Sequence, residues 1–192
     1  MTTTAPHLNP RPGPAAEFGA ALRAQVPVLE TPRCVLRAPV LEDAPHWIAL
    51  MAADTPGHMG GPFDADTAFT DFAATVGTWM LRGHGLWTVT DTAGEVLGFV
   101  LIGFEPGDAH PELGVLLRPH ARGRGLAQEA TRAARDHALK VLCLPALVSY
   151  TAPGNAAVNR LMERLGAHPD GMTADPSDPA RIWRHHPTGA HQ

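Results

Sequence analysis

The 192-residue chain is poor in cysteine and tyrosine and has no long apolar run. Two cysteines, Cys34 and Cys143, are too few for a disulfide framework, so we expect a reducing, cytoplasmic environment. No apolar stretch approaches the roughly 18 residues that a membrane span requires. The first residues also lack the cationic stretch and apolar segment of a secretory signal. These shortages exclude disulfide-stapled and membrane-spanning classes of protein.

Basic charge is also scarce. Lysine and arginine total 15 against 19 aspartates and glutamates, which gives a net charge of −4 and an isoelectric point near 6.2. This balance argues against a nucleic-acid-binding surface. The 11 histidines are scattered, and the adjacent pair His185 and His186 offers neither an i, i+4 spacing nor a cysteine partner. We therefore expect neither nucleic acid, membrane nor metal among the ligands.

The chain does contain alternating helix and strand patterns over a length suited to one α/β domain. We predict an N-terminal extension over residues 1–27 that is mobile or partly helical, a single domain over 28–186 and a tail over 187–192. Within the extension, residues 15–26 form a candidate short helix. Helices are predicted after Glu42, over Phe69–Met80, from about 124 to 140 and from Asn155 to Gly166. Strands are predicted over 33–38, 86–91, 95–104, 110–117, 147–151 and 181–185.

The most informative stretch runs from Leu113 to Ala127. An apolar strand is followed by a glycine-rich turn with two arginines and then by the first turn of an amphipathic helix. Unpaired backbone N–H groups and two guanidinium groups at a helix N-terminus favour an anion. A cofactor that contains a pyrophosphate is the expected ligand. A Rossmann dinucleotide loop fits less well, because Gln128 stands where its third glycine belongs.

From Arg122, the order Arg-x-x-Gly-x-Ala resembles the acetyl-coenzyme A signature of the GNAT acetyltransferases, and the resemblance extends over about residues 29–185. Four further segments resemble the RimJ/RimL-like branch of that family, which acetylates the N-termini of ribosomal proteins. These segments are Leu29 to Arg37, Gly60-Gly61-Pro62, Glu112-Leu113-Gly114, and Asn155 to Gly166. Each is weak by itself, but together they occur in the order typical of the branch.

The resemblance implies an α/β (α+β) GNAT fold, with a mixed, mostly antiparallel twisted sheet of about seven strands flanked by about four helices. It also implies acetyl-CoA as cofactor and coenzyme A as product. Backbone groups near Val115 and Leu117 would hold the pantetheine arm, with the Leu117 N–H as the oxyanion contact. The implied diphosphate-binding residues are Arg122, Gly123, Arg124, Gly125, Leu126 and Ala127. Asn155 is carried over as a second contact to the cofactor, with a simple helix cap as the alternative role.

Acetyl transfer to an amine requires a neutral nucleophile. Deprotonation at pH 7 costs about 4.6 kcal/mol for a lysine side chain but only about 1.1 kcal/mol for an α-amino group. Glu112 is the candidate general base, with cross-strand pairing as its alternative role. His110 is the reserve base, because two residues along a strand share one face.

The general acid is an open question. Many GNAT enzymes carry a tyrosine where this chain has Met162, and the RimJ/RimL-like branch often has a serine where it has Val158. Tyr150 is the remaining candidate, and the alternative is that the thiolate leaves without a protein acid.

The acceptor also remains open. The family analogy suggests a pocket lined by His58, Met59, Gly60, Gly61, Pro62, Phe63 and Trp87. The leading hypothesis is direct acetyl transfer, in a ternary complex, to an α-amino group of a protein or peptide. A small amine as acceptor and a non-catalytic acyl-CoA-binding module are the alternatives. The oligomeric state is not fixed by the sequence, and a homodimer is compatible with it.

Overall fold

A computed structural model describes residues 5–54, 61–174 and 179–186. Over these residues the α-helices are α1 (Pro14–Arg23), α2 (Ala44–Ala52), α3 (Ala65–Arg82), α4 (Leu126–Lys140) and α5 (Ala156–Leu165). The strands are β1 (Leu29–Glu30), β2 (Val35–Arg37), β3 (Leu86–Thr90), β4 (Val96–Gly103), β5 (Glu112–Leu117), β6 (Val148–Thr151), β7 (His168–Met172) and β8 (Arg181–Arg184). Short 3₁₀ turns cover Pro6–Leu8, Leu41–Asp43 and Pro119–Ala121.

The strands form one sheet in the order β1-β2-β3-β4-β5-β6-β8-β7. Its neighbouring strands are antiparallel except β5 and β6, which are parallel. The predicted mixed, mostly antiparallel α/β architecture is therefore confirmed. The sheet is one strand larger than predicted. Strand β7 gave no sequence signal, because all five of its residues are exposed and two of them are Pro169 and Gly171.

Helices pack on both faces of the sheet. On one face, α4 presents Leu126, Ala130, Ala134 and Ala138 to a core that includes Leu113 and Leu117 of β5. The alanines allow the helix axis to approach the sheet closely. On the opposite face, α2 and α3 enclose an aromatic cluster in which the Trp47 and Phe99 rings meet edge to face at 5.2 Å. Strand β4 is therefore buried on both faces of the sheet, whereas most residues of β5 are only partly buried.

Gly98 determines how closely β4 approaches β5. It lies opposite Leu117 with a φ of +155°, and a Cβ atom there would overlap the Leu116 carbonyl oxygen and lie 2.8 Å from the Leu117 Cα. Any larger residue would push away the end of β5. The adjoining β3–β4 register shifts between Val89 and Thr90, which marks an irregularity at the same end of the sheet.

Several sequence predictions change in detail. The predicted strand over 33–38 is β2, which is shorter, and the predicted extension contains α1, whose residues are all at least partly exposed. His58, Met59, Gly60 and the tail over 187–192 lie outside the described residues. The three domain boundaries stay a prediction. No helix among the described residues has the length and apolar character needed to cross a bilayer.

Candidate active site

The parallel strands β5 and β6 separate almost as soon as they meet. Glu112 opposite Val148 is their one register position, although β5 continues to Leu117 and β6 to Thr151. Where the ladder ends, the Ser149 hydroxyl donates to the Leu113 carbonyl oxygen. The two strands therefore diverge and leave a V-shaped opening between them.

The alternating direction of the backbone N–H and C=O groups along β5 determines which of them line this opening. Arg118 N donates to Leu97 O on the β4 side, at 2.9 Å. Because hydrogen-bonding direction alternates along a strand, Val115 and Leu117 direct their N–H and C=O groups the other way, towards β6. These are the two residues that the sequence predicted as contacts of a pantetheine arm, and the structure aims their backbone groups into the opening.

The turn after β5 presents further backbone donors. Gly123 and Gly125 have φ angles of +74° and +78°, in the left-handed region where glycine has no Cβ clash. The first intrahelical bond of α4 runs from Glu129 N to Gly125 O. The N–H groups of Leu126, Ala127 and Gln128 therefore precede the helical ladder and carry the positive end of the helix dipole. The geometry of this turn fits a diphosphate.

The two arginines of the turn differ in what they contact. The Arg122 Nε donates to Leu117 O at 2.9 Å, so this side chain folds back onto the end of β5. It occupies the Leu117 carbonyl and leaves the Leu117 N–H as the polar group that this residue directs into the opening. Arg124 is exposed, and its carbonyl oxygen accepts a hydrogen bond from Arg33 Nη1 at 2.9 Å. Glu129, in the first turn of α4, forms an ion pair with the same Arg33 side chain.

Glu112 lies at the apex of the opening. Its Oε1 accepts a long hydrogen bond of 3.5 Å from Tyr150 N. Burial raises the pKa of Glu112 to about 7, and the nearby carboxylates of Asp108 and Glu105 contribute to the shift. A carboxylate with that pKa exchanges protons readily at neutral pH.

Tyr150 shares the sheet face of Glu112, because Val148 lies opposite Glu112 and Tyr150 is two residues further along β6. Burial and the charges of Asp108 and Glu112 raise the pKa of the half-buried Tyr150 phenol. The phenol therefore stays protonated at neutral pH. The structure brings both predicted acid–base residues together on the face that α2 and α3 cover elsewhere.

His110 is not where the sequence predicted it. Strand β5 begins at Glu112, and His110 lies in a bend before it, so the two residues do not share a strand face. The strand does not extend back to His110 because Pro111 restricts the backbone of the residue before it and has no N–H to donate to the ladder.

Asn155 is the N-cap of α5, and its Oδ1 accepts from Val158 N at 3.3 Å. The cap role is thus confirmed, while a contact to the cofactor stays a prediction. Met162 is 1% exposed and packs against Trp183, so it faces the core, with Val158 packed at its margin. Neither residue offers a proton to the opening.

Sequence reasoning missed two buried polar residues near the opening. Asn159 accepts from the Thr151 hydroxyl at 2.8 Å and donates to the carbonyls of Ala152 and Pro153, which fixes the loop between β6 and α5. His185 lies 2.9 Å from the Ser149 hydroxyl, and this hydroxyl already donates to Leu113. The His185 Nε2 is therefore the donor to Ser149. In the sequence, Asn159 gives no signal of its burial, because an asparagine within a helix is usually exposed.

The structure excludes Trp87 from the predicted acceptor pocket, and the rest of the pocket stays a prediction, because His58, Met59 and Gly60 lie outside the described residues. Trp87 is completely buried, and its Nε1 donates to Pro27 O at 2.8 Å, so it is a core residue and not a pocket wall. Phe63 packs against the aromatic core under α2 and α3. Gly61 N donates to Asp54 Oδ2 at 3.3 Å, which ties the segment before α3 to the end of α2.

Comparison with known proteins agrees with this geometry. A family model described as an acetyltransferase (GNAT) domain matches residues 33–168, and the chain belongs to the GNAT acetyltransferase family. The family and the N-acetyltransferase class predicted from the sequence are confirmed, and acetyl-CoA is the cofactor.

Solved structures give the same fold. An acetyltransferase from Agrobacterium tumefaciens str. C58 is 34% identical, with a TM-score of 0.77 over 84% of this chain and 95% of that one. RimL, a ribosomal L7/L12 α-N-protein acetyltransferase in complex with coenzyme A, is 15% identical, with a TM-score of 0.69 over 84% and 98%. Mycobacterium smegmatis RimJ in complex with CoA-disulfide is 19% identical, with a TM-score of 0.64 over 83% and 86%. At these identities, RimL and RimJ show a shared fold.

Proposed function

We propose that this enzyme transfers the acetyl group of acetyl-CoA to an α-amino group of a protein or peptide, by direct attack in a ternary complex. The observation that carries the proposal is Glu112, a carboxyl group at the apex of the β5–β6 opening whose pKa is raised to about 7. The likeness of the fold to RimL and RimJ supports the same class of acceptor.

The pKa of Glu112 suits an α-amino group better than a lysine side chain. An α-amino group has a pKa of about 7.8 and a lysine side chain one of about 10.4. The pKa of an α-ammonium is therefore about one unit above that of the base, whereas the pKa of a lysine side chain is more than three units above it. Proton transfer from the α-ammonium to Glu112 is correspondingly less unfavourable. Asp108 and Glu105 place further negative charge near Glu112, which attracts a cationic N-terminus.

The remaining roles are assigned to groups that line or end the opening. Acetyl-CoA supplies an activated acetyl thioester when it is bound. The N–H groups from Gly123 to Ala127 bind the diphosphate, and the backbone groups of Leu117 and Val115 hold the pantetheine arm as it runs along β5 towards Glu112. Leu117 lies five residues, about 16 Å, from Glu112 along β5, so its N–H is too far from the reacting amine to be the oxyanion contact that the resemblance implied. Glu112 accepts the proton that the amine loses, and the Tyr150 hydroxyl donates one to the departing thiolate.

A matched peptide panel tests the choice of acceptor. One peptide carries a free α-amine and no lysine, a second carries a blocked N-terminus and one lysine, and small primary amines form the third group. We expect thiol release with the first peptide, and mass spectrometry should locate the added acetyl group on its N-terminus. Turnover confined to small amines would overturn the proposed acceptor and leave the acetyltransferase class intact.

The dependence of kcat/KM on pH tests Glu112 as the base. In the wild type, two groups must lose protons below pH 7, the acceptor amine and Glu112, so log kcat/KM should fall with a slope of about two. Glu112→Gln should turn over at least about a hundredfold more slowly, with a slope of about one. Glu105→Gln is the matched control, because it removes a neighbouring carboxylate and should keep the slope of two while moving the limb to lower pH. A slope of two in Glu112→Gln would remove Glu112 from this role.

A further inference from the structure

The turn that precedes α4 is held from outside by one side chain. Arg33, between β1 and β2, contacts Glu129 and the backbone of Arg124 together. Its Nε and Nη2 lie 2.7 and 2.6 Å from Glu129 Oε2, and its Nη1 donates to Arg124 O at 2.9 Å. The backbone N of Arg33 also donates to Glu129 Oε1, at 2.8 Å.

We propose that Arg33 is a positioning residue for the diphosphate of acetyl-CoA and acts through the turn between β5 and α4. The inference rests on the cofactor site described above. It concerns a residue outside the Arg122–Ala127 segment, separated from it by about ninety positions in the chain.

The contact with Arg33 fixes the direction of one peptide group in the turn. The Arg124 C=O and the Gly125 N–H belong to the same planar trans peptide and point in opposite directions. With Arg124 O bonded to Arg33, the Gly125 N–H is directed away from the β1–β2 side. The other side of α4 faces α5, where Gln128 Nε2 donates to Arg164 O at 3.2 Å. The β5–β6 opening lies on that side as well, so Arg33 turns an amide towards the cofactor.

Arg33 also holds a negative charge away from the turn. Glu129 is in the first turn of α4, so its carboxylate lies close to the amides that would hold the diphosphate. Burial opposes its ionisation, but hydrogen bonds from Thr31 and Arg33 keep the pKa of Glu129 below its usual value. Glu129 is thus ionised and would repel the diphosphate if it were free to turn. The contacts with Arg33 and Thr31 hold it on the β1–β2 side.

The Arg33 side chain also fills the space beside Gly125. A Cβ on Gly125 would lie 3.5 Å from Arg33 Nη2, so the guanidinium packs directly against the turn. A planar guanidinium can bond a carboxylate and a carbonyl at once, whereas a lysine ammonium is a single point charge. The site therefore requires arginine for geometry as well as for charge.

Calorimetric titration tests this role with CoA, 3′-dephospho-CoA and pantetheine, each against the full-length protein. Arg33→Ala should weaken binding of CoA and 3′-dephospho-CoA about tenfold to a hundredfold. Binding of pantetheine, titrated at millimolar concentration, should change less than about twofold, because it has no diphosphate. Arg33→Lys should recover only part of the loss. Lys140→Ala is the matched control, since it removes a half-exposed cation paired with Asp136 at the other end of α4.

The outcomes separate this inference from the function on which it rests. Failure of the wild type to bind CoA would overturn the cofactor site itself. CoA binding by the wild type with equal affinity in Arg33→Ala would overturn only the role of Arg33. Equal losses for CoA and pantetheine would show general damage to the fold, and full recovery in Arg33→Lys would show that charge alone matters. Either result would overturn the positioning role.

Discussion

The carboxyl group of Glu112 is half-buried between β5 and β6, and burial with the charges of Asp108 and Glu105 raises its pKa to about 7. A raised pKa means that the folded state holds the proton more tightly than the unfolded state does. Glu112 therefore favours folding most at low pH, and this contribution is lost as the pH rises from its usual value near 4.5 through about 7. Catalytic competence and stability conflict at this residue.

Replacement of Glu112 by glutamine should therefore stabilise the protein at high pH. We expect Glu112→Gln to raise the free energy of unfolding by about 1–2 kcal/mol more at pH 8 than at pH 5. Glutamine keeps the oxygen that accepts from Tyr150 N, so the backbone contact remains. Urea denaturation at both pH values measures the difference. Burial also lowers the pKa of His185, to about 4, but this histidine titrates alike in both proteins and cancels. An unchanged difference between the two pH values would contradict the raised pKa of Glu112.

Tyr150 is the protonated group on the same sheet face as Glu112. Tyr150→Phe should lower kcat about tenfold to a hundredfold, because the thiolate then leaves without a proton donor. The effect should be modest, since a free thiol has a pKa of only about 8.5. The KM for acetyl-CoA should stay within about twofold of the wild type. Steady-state kinetics with a single acceptor peptide provide both values, and an unaltered kcat would mean that the thiolate needs no protein acid.

At the scale of the strands, the contact between β4 and β5 depends on Gly98. Gly98→Ala should lower the free energy of unfolding by about 2–4 kcal/mol, because the added methyl group overlaps the backbone of Leu116 and φ is positive. The same substitution should weaken CoA binding, since Leu116 and Leu117 must move.

Gly77 supplies the matched control for this prediction. A Cβ at Gly77 meets nothing within 4 Å, and the residue is inside α3. Gly77→Ala should therefore stabilise the protein by about 0.5–1 kcal/mol. Chemical denaturation of both variants measures whether the free energy of unfolding falls for Gly98→Ala and rises for Gly77→Ala. A neutral Gly98→Ala would mean that the strands can separate at no cost.

Sequence periodicity was sufficient to predict the helices and strands that have a continuous apolar pattern. Helix α4 has a clear small-residue face, and α5 has an asparagine N-cap and a glycine C-cap, so both were predictable. Strands β1 and β7 were not. The first has two residues, and the second has no buried side chain to produce an alternation. Pairing to a neighbouring strand created these two, and pairing leaves no local pattern.

The active site was predictable where chemistry and backbone coincide in one segment. The Leu113–Ala127 segment carries its own strand, turn and helix start, and the geometry follows from that order. Contacts that link distant segments were not accessible in this way. Arg33 meets Glu129 across 96 positions, and Ser149 meets His185 across 36. Only the folded sheet brings these pairs together.

For the whole molecule, cofactor binding and folding are linked. A ligand that binds only the folded state stabilises it by about 2.7 kcal/mol at a concentration of 100 Kd. CoA should also slow amide hydrogen exchange at Val115, at Leu117 and in the Gly123–Gln128 turn. Amides on the far strand pair β7–β8 should change little. Exchange monitored by mass spectrometry, with and without CoA, provides the comparison, and protection spread evenly over the sheet would contradict the proposed location.

At the joint between β5 and β6, the V-shaped opening leaves the two strands with few ladder hydrogen bonds. Every other neighbouring pair is joined at two or more register positions, whereas β5 and β6 share only Glu112 and Val148. A protein engineer who strengthened this joint by extending its ladder would consume the backbone groups of Val115 and Leu117. Selection for thermostability should therefore spare this joint and act on the antiparallel remainder of the sheet, because here rigidity and catalysis compete for the same hydrogen bonds.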